Sequence, residues 1–155
     1  MRSIASIPSS GVVASEVVVR LLGAHEAIVL AYVAPHVFDE PVNGAWCTEF
    51  LADSRHHLAV AMHGPLVVGM ASAVHYLHPD KPNEMLINEA GVSESYRDLG
   101  IGRRLLAALL AHATLLGCEG AWVLTEASNA AARRMYAAAG GIEKQDAPVM
   151  IEFRT

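Results

Sequence analysis

The run Arg97-Asp98-Leu99-Gly100-Ile101-Gly102-Arg103 follows an apolar stretch ending at Val92 and opens a Leu-rich one ending at Leu116. Glycines at 100 and 102 remove side chains that would hold a ligand off the backbone, so N–H groups at a helix start can close on an anion. The helix dipole adds about 0.3–1 kcal/mol of attraction per charge. Arg97 and Arg103 can flank the same anion with charge-assisted hydrogen bonds. The spacing matches neither familiar phosphate loop: no Gly-Lys-Ser/Thr occurs, and a third dinucleotide-type glycine would fall at position 105, which is Leu. The alternative is an ordinary glycine turn before an amphipathic helix.

Two further groups stand out. Glu89 interrupts the strand-like run Ile87-Asn88-Glu89-Ala90-Gly91-Val92, where a charge is unexpected. Ile87 and Gly91 share its face by the period of two, so partial desolvation should raise its pKa toward the working range of a general base. A glutamate that merely pairs with an arginine is the competing reading. Asn129, then position 132 or 133, then Tyr136 fall along one stripe of a helix. They address a common ligand, unless Tyr136 is a packing tyrosine with its hydroxyl at the rim.

An anion-closing loop needs a strand to deliver it and a helix to carry the dipole, and the flanking pattern supplies both. Strands are expected at Glu16–Leu22, His57–His63, Leu66–Leu77, Glu84–Val92, Ala121–Glu126 and Val149–Phe153, with Gly64-Pro65 turning the second into the third. Helices are expected from Ala24 to about Val37, at Gly44–Asp53, at Gly100–Leu116 and at Ala130–Ala139. The first stops at Phe38-Asp39-Glu40-Pro41, and the last is capped by Asn129 and ended by Gly140-Gly141. The order predicts an α/β fold, a mixed sheet of six to seven strands flanked by about four helices. Residues 1–14 read as a flexible N-terminal tail and 15–155 as a single domain.

Composition sets the class. With 155 residues, 53% hydrophobic and 17% charged, the chain is too apolar for disorder and the right size for one core. Its longest apolar stretch, Leu105–Leu116, is broken by His112 and falls short of the ~20 residues a bilayer requires. No secretion signal is read, and the expected location is cytoplasmic. Cys47 and Cys118 form no metal or disulfide pattern, and no metal site is expected. The net charge is −5, unevenly spread: ten acidic and four basic residues precede Arg97, whereas five arginines and three acids lie from 97 to 134. That imbalance suits one cationic and one anionic ligand, and argues against nucleic acid.

Arg-x-x-Gly-x-Gly between a strand and a Leu-rich helix, followed by a strand, Asn129 and Tyr136, resembles the acetyl-CoA site of the GNAT superfamily of N-acetyltransferases. The resemblance covers roughly Glu16 to Phe153. It implies that Arg97, Asp98, Leu99, Gly100, Ile101, Gly102 and Arg103 hold the pyrophosphate of acetyl-CoA, with Asn129 and Arg133 alongside. Val92 would meet the pantetheine arm in strand-addition style, and the N–H of Ala90 would face the thioester oxygen. Glu89 would accept the amine's proton, and Tyr136 would protonate the departing thiolate. Within the superfamily the chain is most similar to the aminoglycoside 3-N-acetyltransferases, which implies antibiotic resistance as a role. Phe38-Asp39-Glu40, the Trp46…Phe50-Leu51 helix and Leu66-Val67-Val68-Gly69 fall in step with that group. It departs from it where Glu89 replaces an aspartate and Gly91 an alanine, and where the acidic run before the last helix is only Glu126 and Asn129. Asp39, Glu40, Glu84 and Glu126 would then line a cleft for a polycationic amine. A peptide, protein or polyamine acceptor, or a CoA-binding module without turnover, are the competing readings. The expected partner is a small-molecule amine, with no nucleic acid or membrane and with a homodimer left open.

Overall fold

A computed structural model describes residue 11 and residues 14–146 and 148–155. The tail expected over 1–14 thus lies almost wholly outside the described residues. A single-turn 3₁₀ helix, Ala14–Glu16, leads into β1 (Val17–Leu21). After the 3₁₀ segment Ala27–Ala31 come α1 (Gly44–Ala52), β2 (His56–His63), β3 (Leu66–Tyr76) and β4 (Glu84–Val92). The 3₁₀ turn Glu94–Tyr96, α2 (Ile101–Leu115), β5 (Gly120–Val123) and α3 (Ala130–Ala138) complete the order. Among the described residues no helix is long and apolar enough to cross a membrane.

The sheet has the strand order β1-β2-β3-β4-β5, antiparallel up to β4 and parallel between β4 and β5. The α2 helix crosses β1 to β4 on one face. Its Leu105, Leu106 and Leu109 are fully buried in the core, with Leu105 close over Gly69 of β3. That apolar stripe at helical spacing is what fixes α2, and with it the loop at its N-terminus. Arg104 pins the other end of the chain, its Nη2 donating to the Val17 carbonyl at 2.7 Å and its Nη1 to the Ala14 carbonyl at 3.1 Å.

Three sequence expectations fail. The described residues hold five strands and three α-helices rather than six to seven and about four. Residues 24–37 form one 3₁₀ segment and then an extended stretch, because Pro35 keeps Ala34 out of the helical region. The extended stretch instead pairs with β3, Ala34 N–H to the Val67 carbonyl at 2.8 Å and Val67 N–H to the Tyr32 carbonyl at 2.9 Å. Val149–Phe153 is not a strand, and its Val149, Met150, Ile151 and Phe153 are exposed. A strand needs a hydrogen-bonding partner, and β5 is a four-residue edge that pairs only with the first half of β4.

Candidate active site

The short pairing of β5 has a local consequence. It meets β4 only over Glu84–Ile87, while β3 pairs β4 through to Val92. From Asn88 to Val92 the second edge of β4 therefore carries no strand among the described residues, and its backbone groups are open to an extended ligand. A β-bulge sits here too: Ser72 pairs Glu89 and Ala73 pairs Ile87, so Asn88 is the extra residue. Asn88 and Glu89 consequently line the same cavity.

Beyond β4 the chain turns through Ser93, whose N–H donates to the Val68 carbonyl at 2.9 Å, and reaches α2 through Asp98 and Gly100, both with positive φ (62° and 72°). Gly100 caps α2 with no side chain. The first helical backbone bond runs from Arg104 N–H to the Gly100 carbonyl at 3.1 Å, so the N–H groups of Ile101, Gly102 and Arg103 have no intrahelical acceptor. They face a cleft of about 950 Å³ whose cationic lining is Arg97, Arg103 and Arg134. Arg97 Nε also donates to the Val92 carbonyl at 3.3 Å, which ties the loop to the open strand. Gly102 has a second duty: a Cβ there would strike Met135 Sδ, so the glycine permits α3 to approach α2.

A smaller cavity of about 390 Å³ adjoins the cleft, walled by α1, the 38–43 loop, Leu58, Ser72 and Glu89. Both spaces share Asp39 and Glu89. Gly91 makes that meeting point, because a Cβ there would strike the Val37 carbonyl oxygen and push the loop carrying Asp39 away. Glu89 is partly buried. Burial raises its pKa above the ordinary carboxylate value, the Asp39 charge adds to the rise, and a hydrogen bond from the Asp39 backbone offsets part of it.

Most of the residues expected at an anion site line the cleft: Ala90, Val92, Arg97, Asp98, Gly100, Ile101, Gly102, Arg103 and Asn129. Others do not. Leu99 packs against the core. Arg133 turns away to Glu143, at 2.9 Å, and to the Ala127 carbonyl, at 3.0 Å, and Arg134 takes its place. The reason is helical phase. Ala131, Arg134, Met135 and Ala138 form the stripe that faces the cleft, at spacings of three, four and seven. Tyr136 falls beside that stripe, outside both linings, and burial raises its phenol pKa. Of the four acids expected around an amine, Asp39 and Glu40 line the smaller cavity. Glu84 lies at the far end of β4, accepting from Tyr76 Oη at 3.0 Å and contacting His78 Nε2 at 3.3 Å. Glu126 is exposed on the loop after β5. Sequence reasoning missed Tyr96 and His36 in the cleft and Asn88 in the cavity, since bulges and positive-φ loops leave no periodic signal.

The chain matches the model of the "Acetyltransferase (GNAT) family" over residues 25–140. No curated protein matches it in sequence. Among solved structures, an aminoglycoside acetyltransferase from an uncultured soil metagenomic sample, in complex with sisomicin, superposes with a TM-score of 0.73 at 15% identity, over 90% of this chain and 98% of that one. AAC(6')-Iy in complex with the bisubstrate analog CoA-S-monomethyl-acetylneamine gives 0.71 at 19% identity, over 90% and 99%. A ribosomal-protein-alanine N-acetyltransferase from Brucella melitensis biovar Abortus 2308 gives 0.69 at 16%, over 88% and 99%. At such identities the likeness is one of fold.

Proposed function

The chain belongs to the acetyltransferase (GNAT) family, whose acetyl donor is acetyl-CoA, and from that premise we propose that it N-acetylates a small amine at the carboxylates shared by its two cavities. The observation that carries the reading is that Glu89 and Asp39 line both spaces. The larger cleft fits the donor. The free N–H groups of residues 101–103 with Arg97, Arg103 and Arg134 suit a pyrophosphate, and the open edge from Asn88 to Val92 suits the pantetheine arm. Acetyl-CoA supplies an acetyl group activated as a thioester.

The chain's own groups would do the rest. Asp39 and Glu40 draw the ammonium form of the acceptor toward the cavity. Glu89, with its pKa raised, takes the proton that the amine must lose before its nitrogen bonds to the acetyl carbon. Breaking the carbon–sulfur bond leaves a thiolate, for which the Tyr136 phenol is the candidate proton donor, acting from the flank of α3. Cys47 lines the acceptor cavity, but burial raises its thiol pKa and among the described residues no base is hydrogen-bonded to it, which favours direct transfer in a ternary complex over a covalent acetyl-enzyme.

Aminoglycosides, acetylated at the 3-amino group, are the acceptors that the sequence resemblance implies. Two fold neighbours carry sisomicin or an acetylneamine adduct, one of them of the 6' type, so the drugs are the reference acceptors and the position on the sugar is open to either. Titrating acetyl-CoA into the protein and following thiol release across an amine panel tests the proposal. Amine-dependent thiol release matched by N-acetylated product supports it. Tight binding of acetyl-CoA with no thiol release for any amine would make the chain a CoA-binding module instead.

A further inference from the structure

The acceptor cavity differs in character from the acidic cleft that a sugar polycation would suit. Its carboxylates are three, Asp39, Glu40 and Glu89, of which Asp39 and Glu89 also line the cofactor cleft. Its remaining wall is mainly apolar: Leu30, Phe38, Val42, Trp46, Phe50 and Leu58 lead it. Few polar side chains are at hand to meet hydroxyl groups, and the oxygen of one of them, Asn43, is committed to the N-cap of α1, accepting from Ala45 and Trp46 N–H at 3.0 and 3.1 Å. Glu84 and Glu126, which would have widened the acidic surface, lie outside it. Trp46 borders the cavity and is 72% exposed, so most of its indole is open to a ligand.

This inference rests on the acetyltransferase reading and concerns what the amine is attached to. We infer that the acceptor is a primary amine on an apolar, ring-sized body, seated with its ammonium at Asp39, Glu40 and Glu89 and its body against Phe38, Trp46 and Phe50. A hydroxyl-rich body would leave its hydroxyls unpaired against those walls, which opposes binding, whereas an apolar body releases water from both surfaces. The aromatic rings also favour the ammonium itself where it lies over their faces. The cavity, about 390 Å³, is at the small end of the range for ligand sites, which suits one ring and a short aminoalkyl arm better than a multi-ring sugar.

The chain has two tryptophans, and the second, Trp122, is on β5 with its Nε1–H donated to Tyr76 Oη at 2.7 Å. Trp46 is thus the tryptophan at the acceptor cavity, and the Trp46→Phe variant separates its fluorescence from that of Trp122. The experiment titrates 2-phenylethylamine and, separately, kanamycin into the full chain saturated with CoA, in the wild type and in Trp46→Phe. The expected result is saturable change with 2-phenylethylamine at a Kd at least tenfold below that for kanamycin, and its loss in Trp46→Phe. Equal or tighter binding of kanamycin, no saturable change with 2-phenylethylamine, or a change that survives Trp46→Phe would each overturn the inference. Thiol release measured on separate samples, with acetyl-CoA in place of CoA and the same two amines, keeps the two proposals apart. Binding of 2-phenylethylamine without thiol release for any amine sinks acetyl transfer and leaves the cavity's preference standing. Turnover that favours kanamycin sinks the preference and leaves acetyl transfer standing.

Discussion

Partial burial and then the Asp39 charge hold the Glu89 pKa up, which brings the proposed base nearer to neutrality than a free glutamate would be. Activity that needs ionised Glu89 is lost as pH falls through its pKa, so a raised pKa brings that loss to higher pH. Asp39→Asn removes the neighbouring charge and lets the Glu89 pKa fall. The acid limb of the kcat/KM profile should then move to lower pH, even while KM rises from weaker attraction of the cation. An unmoved limb would mean that Glu89 is not the group titrating. The proposed acid is tested separately. Tyr136→Phe should lower kcat by about 10²–10⁴-fold with little change in acetyl-CoA affinity if the phenol protonates the thiolate. A loss below about threefold would assign Tyr136 to packing, the role its place beside the cleft-facing stripe of α3 also fits.

At the scale of elements, the α2 N-terminus and the α2–sheet joint carry separate tasks. Gly100 has a φ of 72° and open space where a side chain would stand, and Asn and Asp tolerate that left-handed conformation better than other residues. Gly100→Asp should weaken acetyl-CoA binding sharply, by tenfold or more in a titration, because a carboxylate would sit where the pyrophosphate is proposed to lie. Gly100→Asn should cost much less, since it shares the backbone demand without the charge. Equal losses would point to strain and away from the phosphate. The other end of α2 is fastened by three imidazoles, His57 Nε2 to His75 Nδ1 at 2.8 Å and His57 Nδ1 to His112 Nε2 at 3.1 Å, which join β2, β3 and α2. His57 is buried, and burial first, then repulsion from His112, His75 and His56, lowers its pKa to about 4. The unfolded chain, with an ordinary histidine, binds its proton near pH 6.5. Between those values the unfolded state holds more protons, so stability is full above about pH 6.5 and falls as pH drops toward 4, by roughly 3 kcal/mol across the interval. Denaturant melts of the wild type and His57→Gln over that range should show a steeper acid loss for the wild type. Parallel curves would remove His57 as its source.

Across the whole molecule, the parts written in local periodicity were legible in advance. The hairpin at Gly64-Pro65, β4, α2 and α3 fall within a residue or two of their expected ends, because each has a clear alternating or helical apolar pattern with a cap or turn residue to stop it. What depends on contacts distant in sequence was not legible. The 24–37 segment shows a helical pattern, yet Pro35 and pairing to Val67 decide it. The choice of Arg134 over Arg133 follows from the phase of α3 against Gly102, set by the approach of Met135. The meeting of two cavities at Glu89 needs a bulge at Asn88 and a bare Gly91, neither of which announces itself in a run of residues.

That meeting point is the centre of the account, and one comparison addresses it most directly: kcat and KM of wild type and Glu89→Gln with a single amine acceptor across pH. The substitution keeps shape and hydrogen bonding while removing the base. The prediction is a fall in kcat/KM of about 10²–10⁴-fold near neutrality, carried by kcat, with a deficit that shrinks as pH rises and more amine arrives already deprotonated. An unchanged kcat with only a raised KM, at every pH, would contradict it, because Glu89 would then attract the cation and take no part in the transfer.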